Sequence, residues 1–478
     1  MRPPKQRQGD TMLMEETPSK DIPTEKVPSY ARLQAVIETI LIVVGLLAMT
    51  FLLNHGVYGD GKKRFLAVST LLTQGQIKNG PYSQYSLIGP LFSIPFWYLG
   101  KWFSTPIQMI SQYNQFVFAC GLLSIYLLLK DRMDRHLLRK FLIILLAASM
   151  FSMNVTAYYG EVFTAICVGV GVLALLLNPN SLVGWGAIIL GVVNTPATIA
   201  GLLCLIGKRL LDSKRLRYIL VLVAAGGLIM IESWIRRGSP FANGYEHDSG
   251  VHTIMPYSGL VGFNYPFFFG LLSILLSFGK GIFFFAPGLL LPVRKTLLKI
   301  QQKEKLELYR GYLLWIFFLV GLILIYSRWW SWFGGLYWGP RFFLIASIPA
   351  SFALAVRQHD RDNTTLPINL LTLAVLCLSF WVGLDGAVYN AKATAIPLCM
   401  VNSGQLELLC HYTPDFSALW YPFVQAQRLD HSSALYVVYW MFAFAYLLIP
   451  LLIKVIEQTI ALLKTFSTIH LNIKQWNI

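Results

Sequence analysis

Apolar runs close to the length of a membrane span recur along this 478-residue chain, at 33–53, 141–157 and 434–452 among others, with basic segments between them. Roughly 20 apolar residues in a helix cross a hydrocarbon core. A single cleaved signal peptide accounts for one such run and not for several. With 55% hydrophobic and 13% charged residues, the chain also has too little polar surface to cover a soluble globule of its size. The pattern predicts an all-α integral membrane protein. The net charge of +16 reads as membrane topology, because Lys and Arg alternate with apolar runs, and nucleic-acid binding is discounted. Residues 1–32, polar and Pro-rich without an apolar period, read as a disordered cytoplasmic tail.

The basic segments 130–140, 208–217 and 294–310 are assigned to the cytoplasm, so an even number of crossings separates them. The run at 86–103 carries Pro90 and Pro95 amid Ser and Gly and is taken as interfacial or re-entrant. The run at 182–207, broken at Asn194-Thr195-Pro196, is read as a hairpin of two short helices. Single crossings are expected near 218–234, 279–293, 311–326, 342–356, 367–384 and 434–453. The result is about 12 transmembrane helices with both termini cytoplasmic. Residues 33–356 form the membrane core, and 357–478 add further helices around an outer loop at 385–433.

Charged residues at helix ends near a membrane are costly unless solvated, paired or used. On this topology they collect on one face: Asp60, Glu161 beside Tyr159, the Glu246-His247-Asp248 segment, Lys280, Arg328 and Arg341. Asp60 precedes a stretch whose Phe65, Val68, Leu71 and Leu72 share one helical face, as in a helix lying in the interface. It is either the N-cap of that helix or a general base. Glu161 is either a solvated loop acid or a partner of Asp60. Lys280, between two glycines, could neutralise a phosphate or snorkel. Arg341 and Arg328 suit phosphate equally, while Trp330 and Trp338 could stack on a sugar or anchor the interface. Glu246, His247, Asp248 and His252 match no closed metal site. No CxxC, HExxH or Walker sequence occurs. Cys399 and Cys410 share the outer loop and are expected to pair if that face is oxidising.

The Tyr-Ser-x-Tyr…Pro-x-x-x-x-Pro segment from Tyr82 through Tyr85 to Pro95, the Ser-Phe-Gly-Lys-Gly-Ile-Phe-Phe-Phe-Ala-Pro287 stretch and the Trp-Trp-Ser-Trp-Phe-Gly-Gly-Leu-Tyr-Trp-Gly-Pro-Arg341 stretch resemble those of GT-C glycosyltransferases. These are the polytopic enzymes that include protein O-mannosyltransferases and lipid A aminoarabinose transferases. The resemblance runs over about 33–356 and implies a GT-C fold with Asp60 as catalytic base and Glu161 as the second acid. It departs from the family at Asn194-Thr195-Pro196, where some relatives place a lysine, and in having no large soluble C-terminal domain.

The resemblance implies a sugar donor joined to a polyprenyl phosphate and inverting transfer to a glycan, lipid or protein hydroxyl. Lys280, Arg341 and Arg328 would meet the donor phosphate, and Tyr82, Tyr85, Tyr159, Trp330 and Trp338 the sugar or acceptor. No cofactor is demanded, although a divalent cation would be compatible. The site would lie on the periplasmic or extracellular face of the plasma (inner) membrane. Alternatives are a transporter or flippase of lipid-linked sugars, or an oligosaccharide polymerase or ligase. A transporter would show midplane ionisable residues and inverted repeats, and the sequence shows neither.

Overall fold

A computed structural model describes residues 29–77, 84–242, 244, 254–258, 260, 262–335, 337–389, 399, 401–425 and 428–476. The described chain is helical, its one β feature being an isolated bridge between Gly56 and Ala157. The principal helices are α1 (Ser29–Phe51), α2 (Asp60–Gln74), α3 (Tyr113–Leu129), α4 (Arg135–Ala147), α5 (Glu161–Leu177), α6 (Leu182–Asn194), α7 (Ile199–Ser213), α8 (Ile219–Arg237), α9 (Leu308–Tyr326), α10 (Ser347–His359), α11 (Leu366–Val388) and α12 (His431–Trp476). Among the described residues seven helical segments are long and apolar enough to cross a membrane, and α5, α6 and Phe267–Leu276 are shorter apolar helices. The protein is thus an integral membrane protein by length and composition of its helices.

Proline and glycine decide where the apolar runs fail to make one continuous helix. The 86–103 run is broken at Ser93 into Ile88–Phe92 and Ile94–Phe103, of 5 and 10 residues, too short to span at about 1.5 Å per residue. Between α6 and α7 the Thr195-Pro196 break turns the chain back. Asn194 Nδ2 donates to Gly160 O at the start of α5 (2.8 Å), whereas Arg209 Nη2 donates to Leu175 O near its end (3.2 Å), as the predicted hairpin requires.

Two expected crossings take another form. The 279–293 segment is no continuous helix but the four-residue Ile282–Phe285 followed by a 3-10 turn, Pro287–Leu290. Pro287 cannot donate the hydrogen bond that would continue the helix, and Gly288 lies so close to α10 that a Cβ there would be 2.2 Å from Ala350 O. The 141–157 run likewise stops being helical at Ala147 and resumes only as Phe151–Asn154. Its remaining residues run irregularly up to the bridge at Ala157. In the opposite sense α12, with 46 residues and Pro450 inside it, runs on far beyond the 434–453 stretch.

The three basic segments meet at one end of the bundle. Lys140 Nζ donates to Gln358 O (3.4 Å), Thr296 Oγ1 to Asp360 Oδ2 (3.0 Å), and Arg310 Nε lies 3.5 Å from Asp212 Oδ2. Glu38, fully buried in α1, closes that end: it accepts from Arg139 Nε (2.6 Å) and Tyr446 Oη (2.7 Å) and pairs with His136, tying α1 to α4 and α12. A buried carboxylate is tolerated only when its oxygens are met in this way. One apolar core runs from Leu41 to Leu451 between the two ends.

Candidate active site

The end opposite the basic segments carries Asp60, and the Gly56–Ala157 bridge determines what it faces. Gly56 N donates to Thr156 O (2.8 Å), pairing the chain that leaves α1 in parallel with the chain that leaves Phe151–Asn154. Each bridge residue is followed four positions later by an acid that begins a helix, Asp60 in α2 and Glu161 in α5. Two carboxylates far apart in sequence are thereby delivered side by side. Asn114 of α3 steadies the second strand, its Nδ2 donating to Tyr159 O (2.8 Å).

Arg341 lies between the two acids. Its Nη2 donates to Asp60 Oδ2 (2.6 Å), and its Nε is 3.8 Å from Glu161 Oε1. The guanidinium stands over the Tyr159 ring, 4.8 Å from its centroid, with Phe342 at 5.2 Å and Tyr337 at 5.7 Å. Stacked rings and two carboxylates leave it little freedom. Tyr85 Oη donates to the other oxygen, Asp60 Oδ1, at 2.7 Å.

Asp60 is the first residue of α2; Gly59 is the N-cap, and that cap carries no side-chain hydrogen bond. The capping alternative therefore fails, because the carboxylate points at Tyr85 and Arg341 and away from its own helix. Burial pushes the Asp60 pKa up, but Arg341, the Tyr85 hydroxyl and Arg64 outweigh it and hold the carboxyl below its ordinary value.

Arg64 and Asn194 also lie at this site; Arg64 was not singled out from the sequence, and Asn194 was noted only for the hairpin break and the missing lysine. Arg64 sits one helical turn after Asp60, buried, with its guanidinium 5.2 Å from the Tyr85 centroid and Nη1 3.4 Å from Asn194 Oδ1. The i, i+4 spacing from Asp60 was the available signal. Glu232 and Arg236 at the end of α8 hold the Tyr85 segment: Glu232 Oε1 accepts from Leu87 N (3.2 Å), and Arg236 donates to both Glu232 Oε1 (3.1 Å) and Tyr85 O.

Several expected site residues lie elsewhere. Lys280 is buried away from Asp60 and donates to the carbonyls of Gly335 (3.0 Å), Gly339 (3.1 Å) and Tyr337. Burial, with Arg341 nearby, pulls its pKa down to about 7 while Glu407 opposes, and the carbonyls favour its charged form. Arg328 is exposed and donates through Nε to Phe263 O (3.2 Å), pinning a neighbouring loop. Trp338 is fully buried, with Nε1 donating to Asp385 Oδ2 (2.6 Å) and its ring edge-on to Phe285, so its faces are closed to a sugar. Trp330 packs against the core beside Phe333 (6.1 Å). Tyr82 and the Glu246, His247, Asp248 and His252 group lie outside the described residues. Among the described residues no group of three His, Cys, Asp or Glu side chains is placed to hold a metal ion.

Cys399 and Cys410 form a disulfide, with Cα atoms 6.2 Å apart. The chain that follows Cys410 packs on the Lys280 turn, where Gly279 N donates to His411 O (3.0 Å) and Ser417 Oγ to Phe278 O (3.0 Å). Reduction, or Cys399→Ser, is expected to destabilise the protein by about 2–4 kcal/mol. Thermal unfolding in detergent with and without reductant measures this. Identical midpoints would mean that the segment holds without its bridge.

Beneath Glu161 a narrow crevice of about 10 Å³, room for about one water, opens between α5, the α6–α7 break, α9 and 341–346. Glu161, Thr164 and Thr195 form its polar end; Phe318, Leu322 and Phe342 are among its apolar walls.

No family model matches the chain, and no curated protein matches it. Two crystal structures of ArnT from Cupriavidus metallidurans are similar in structure. The form bound to undecaprenyl phosphate has a TM-score of 0.45 at 12% identity, over 89% of this chain and 77% of that one. The apo form has a TM-score of 0.46 at 12% identity, over 89% and 78%. At that identity and score the likeness assigns nothing to individual residues of this chain.

Proposed function

We propose that this integral membrane protein is a glycosyltransferase that moves a sugar from a polyprenyl-phosphate donor to an acceptor hydroxyl, with inversion, on the non-cytoplasmic side of the membrane. The observation that carries the reading is the Asp60 carboxylate, half-buried at one end of a membrane bundle and oriented by Tyr85 on one oxygen and Arg341 on the other. The Tyr85 hydroxyl occupies Oδ1 as an acceptor hydroxyl would. An acceptor that displaced it would present its O–H to the carboxylate.

In the proposed reaction the acceptor oxygen attacks the anomeric carbon while its proton passes to Asp60, and the bond from that carbon to the lipid phosphate oxygen breaks. The departing phosphate carries negative charge. Arg341 is the buried cation closest to the reacting carboxylate, with Arg64 behind it, and both are suited to stabilise that charge. Glu161 faces the Nε of the same guanidinium at 3.8 Å and balances its charge. The basic end of the bundle, by the positive-inside rule, is then cytoplasmic, which puts Asp60 on the far side. The sequence likeness drawn above and the ArnT crystallised with undecaprenyl phosphate are consistent with a donor of this class.

The test is to supply purified protein with a panel of polyprenyl-phosphate sugars and detect the freed lipid phosphate. A transporter would move the donor between leaflets of proteoliposomes and release none, and that result would overturn the reading.

The lowered pKa of Asp60 predicts the pH profile. A carboxylate depressed in the folded protein is ionised down to below the ordinary Asp value of about 3.9, so the acid limb of kcat/KM should lie below that pH. Its ion pair contributes stability that is present above the unfolded pKa and lost as pH falls through the folded one. Tyr85→Phe removes one bond to the charged form and should move the limb upward. An acid limb unchanged in Tyr85→Phe would separate it from Asp60.

A further inference from the structure

We propose that Lys280 is a positioning residue: its ammonium, caged by three backbone carbonyls, seats the loop that presents Arg341 to Asp60. The inference rests on the reaction proposed above and gives Lys280 a task other than phosphate binding.

An ammonium has three N–H donors and no acceptor. All three have acceptors here, the carbonyls of residues 335, 337 and 339, and the side chain is only 4% exposed. No donor is left over for a phosphate. Alternate carbonyls converge on one atom only if the chain coils around it, and the glycines make that coil. Gly334, Gly335 and Gly339 have φ of +73°, +77° and +65°, a region side-chain-bearing residues rarely adopt. A Cβ on Gly339 would also lie 3.0 Å from the Phe285 ring.

The cage is continuous with the site. Tyr337, whose carbonyl it uses, sets its ring 4.9 Å from Tyr159 and 5.7 Å from the Arg341 guanidinium. Trp338 is tethered to Asp385, and Pro340 leads directly into Arg341. From the other side Lys280 is held by its own turn, Gly281 N donating to Ser277 O (2.6 Å), and by His411, next to the disulfide, whose carbonyl pairs with Gly279. Glu407 and His411 are buried near it. Ammonium, cage, aromatic stack and guanidinium therefore form one connected path from an anchored turn to the reacting carboxylate. Removing the ammonium takes the donor from the Tyr337 and Gly339 carbonyls and leaves Gly335 O with Tyr337 N alone (2.7 Å), which favours a loosened loop.

The experiment uses the full-length protein in detergent with Lys280→Ala, in which a truncated side chain leaves room for a small alkylammonium ion. Amide hydrogen exchange in 334–341 is expected to rise about tenfold, with α1 unchanged, and added propylammonium should restore protection where propanol does not. In the transferase assay kcat should fall about 100-fold, as for misplacement of a catalytic group. The donor KM should stay within about threefold, and propylammonium should recover part of kcat. Unchanged exchange in 334–341, equal rescue by propanol, or a raised KM with intact kcat would each overturn the proposal. If Lys280→Ala does not fold, Lys280→Gln, which keeps two donors, gives the same readouts at intermediate size. The exchange measurement needs no turnover. A wild-type protein that transfers nothing yet loosens this loop in Lys280→Ala would sink the glycosyltransferase reading and leave the cage standing.

Discussion

Asp60→Asn is expected to lower transfer by about 10²–10⁴-fold, the range that positioned proton transfer supplies, while the protein still inserts and folds. Asn has nearly the same shape, and its carbonyl oxygen can go on accepting from Arg341 Nη2. Its amide group can turn toward the Tyr85 oxygen, so both neighbours keep a partner. What is lost is the ability to take a proton. The comparison is single-turnover release of lipid phosphate by the two proteins at equal, verified folding. Activity in Asp60→Asn within about tenfold of wild type, less than general-base catalysis supplies, would remove Asp60 from the mechanism and the proposed chemistry with it.

Arg341→Met is expected to be worse for stability and comparably severe for rate. Truncating one member of a buried ion pair costs about 3–5 kcal/mol, because the partner charge stays behind. Here two partners stay behind, Asp60 at 2.6 Å and Glu161 at 3.8 Å from the same guanidinium. The rate should fall by about 10²–10³-fold, as when one group that stabilises developing charge is removed. The pH dependence of stability should also change sign. In the wild type acidification protonates a carboxylate that the fold prefers charged, so stability falls. Without Arg341, burial, the largest influence on the Asp60 carboxyl, favours its protonated form, so its folded pKa lies above the unfolded one and acidification should stabilise. Thermal unfolding at neutral pH and near pH 3, below the ordinary Asp pKa of about 3.9, reads both signs. Parallel curves for the two proteins would show that the cluster contributes no such linkage.

Asp60, Glu161 and Arg341 were legible because each stands out against its surroundings: a charge at the edge of an apolar run needs a reason. The hairpin at Asn194-Thr195-Pro196 and the broken helices at Pro90 and Pro95 were legible for a local reason, since proline removes a donor wherever it stands. The same logic applied to Pro287 would have shown that 279–293 is no continuous helix; its apolar run was read by length alone.

Lys280 and Trp338 were misread in a shared way. Each is a residue type that binds phosphate or sugar, and each is occupied by the protein itself: carbonyls of the 335–339 loop and Asp385. Whether a side chain has donors to spare is a matter of what packs around it, and those partners lie 47 to 59 residues away in sequence. Arg64 was passed over for the converse reason. In a Lys-Lys-Arg run it reads as interfacial charge, and only the fold turns it inward beneath Tyr85.

The sequence by itself determined that the chain lives in a membrane, which segments are apolar, where the breaks at 86–103 and 194–196 fall, and which few charges stand at their ends. Those are properties of hydrophobicity and backbone chemistry that each stretch carries alone. Which charges meet was decided only by the tertiary structure, through a single parallel bridge that aligns two acids and a glycine loop wrapped on an ammonium. Ion pairs and hydrogen bonds act over a few ångströms, and only the folded chain sets distances on that scale between residues this far apart.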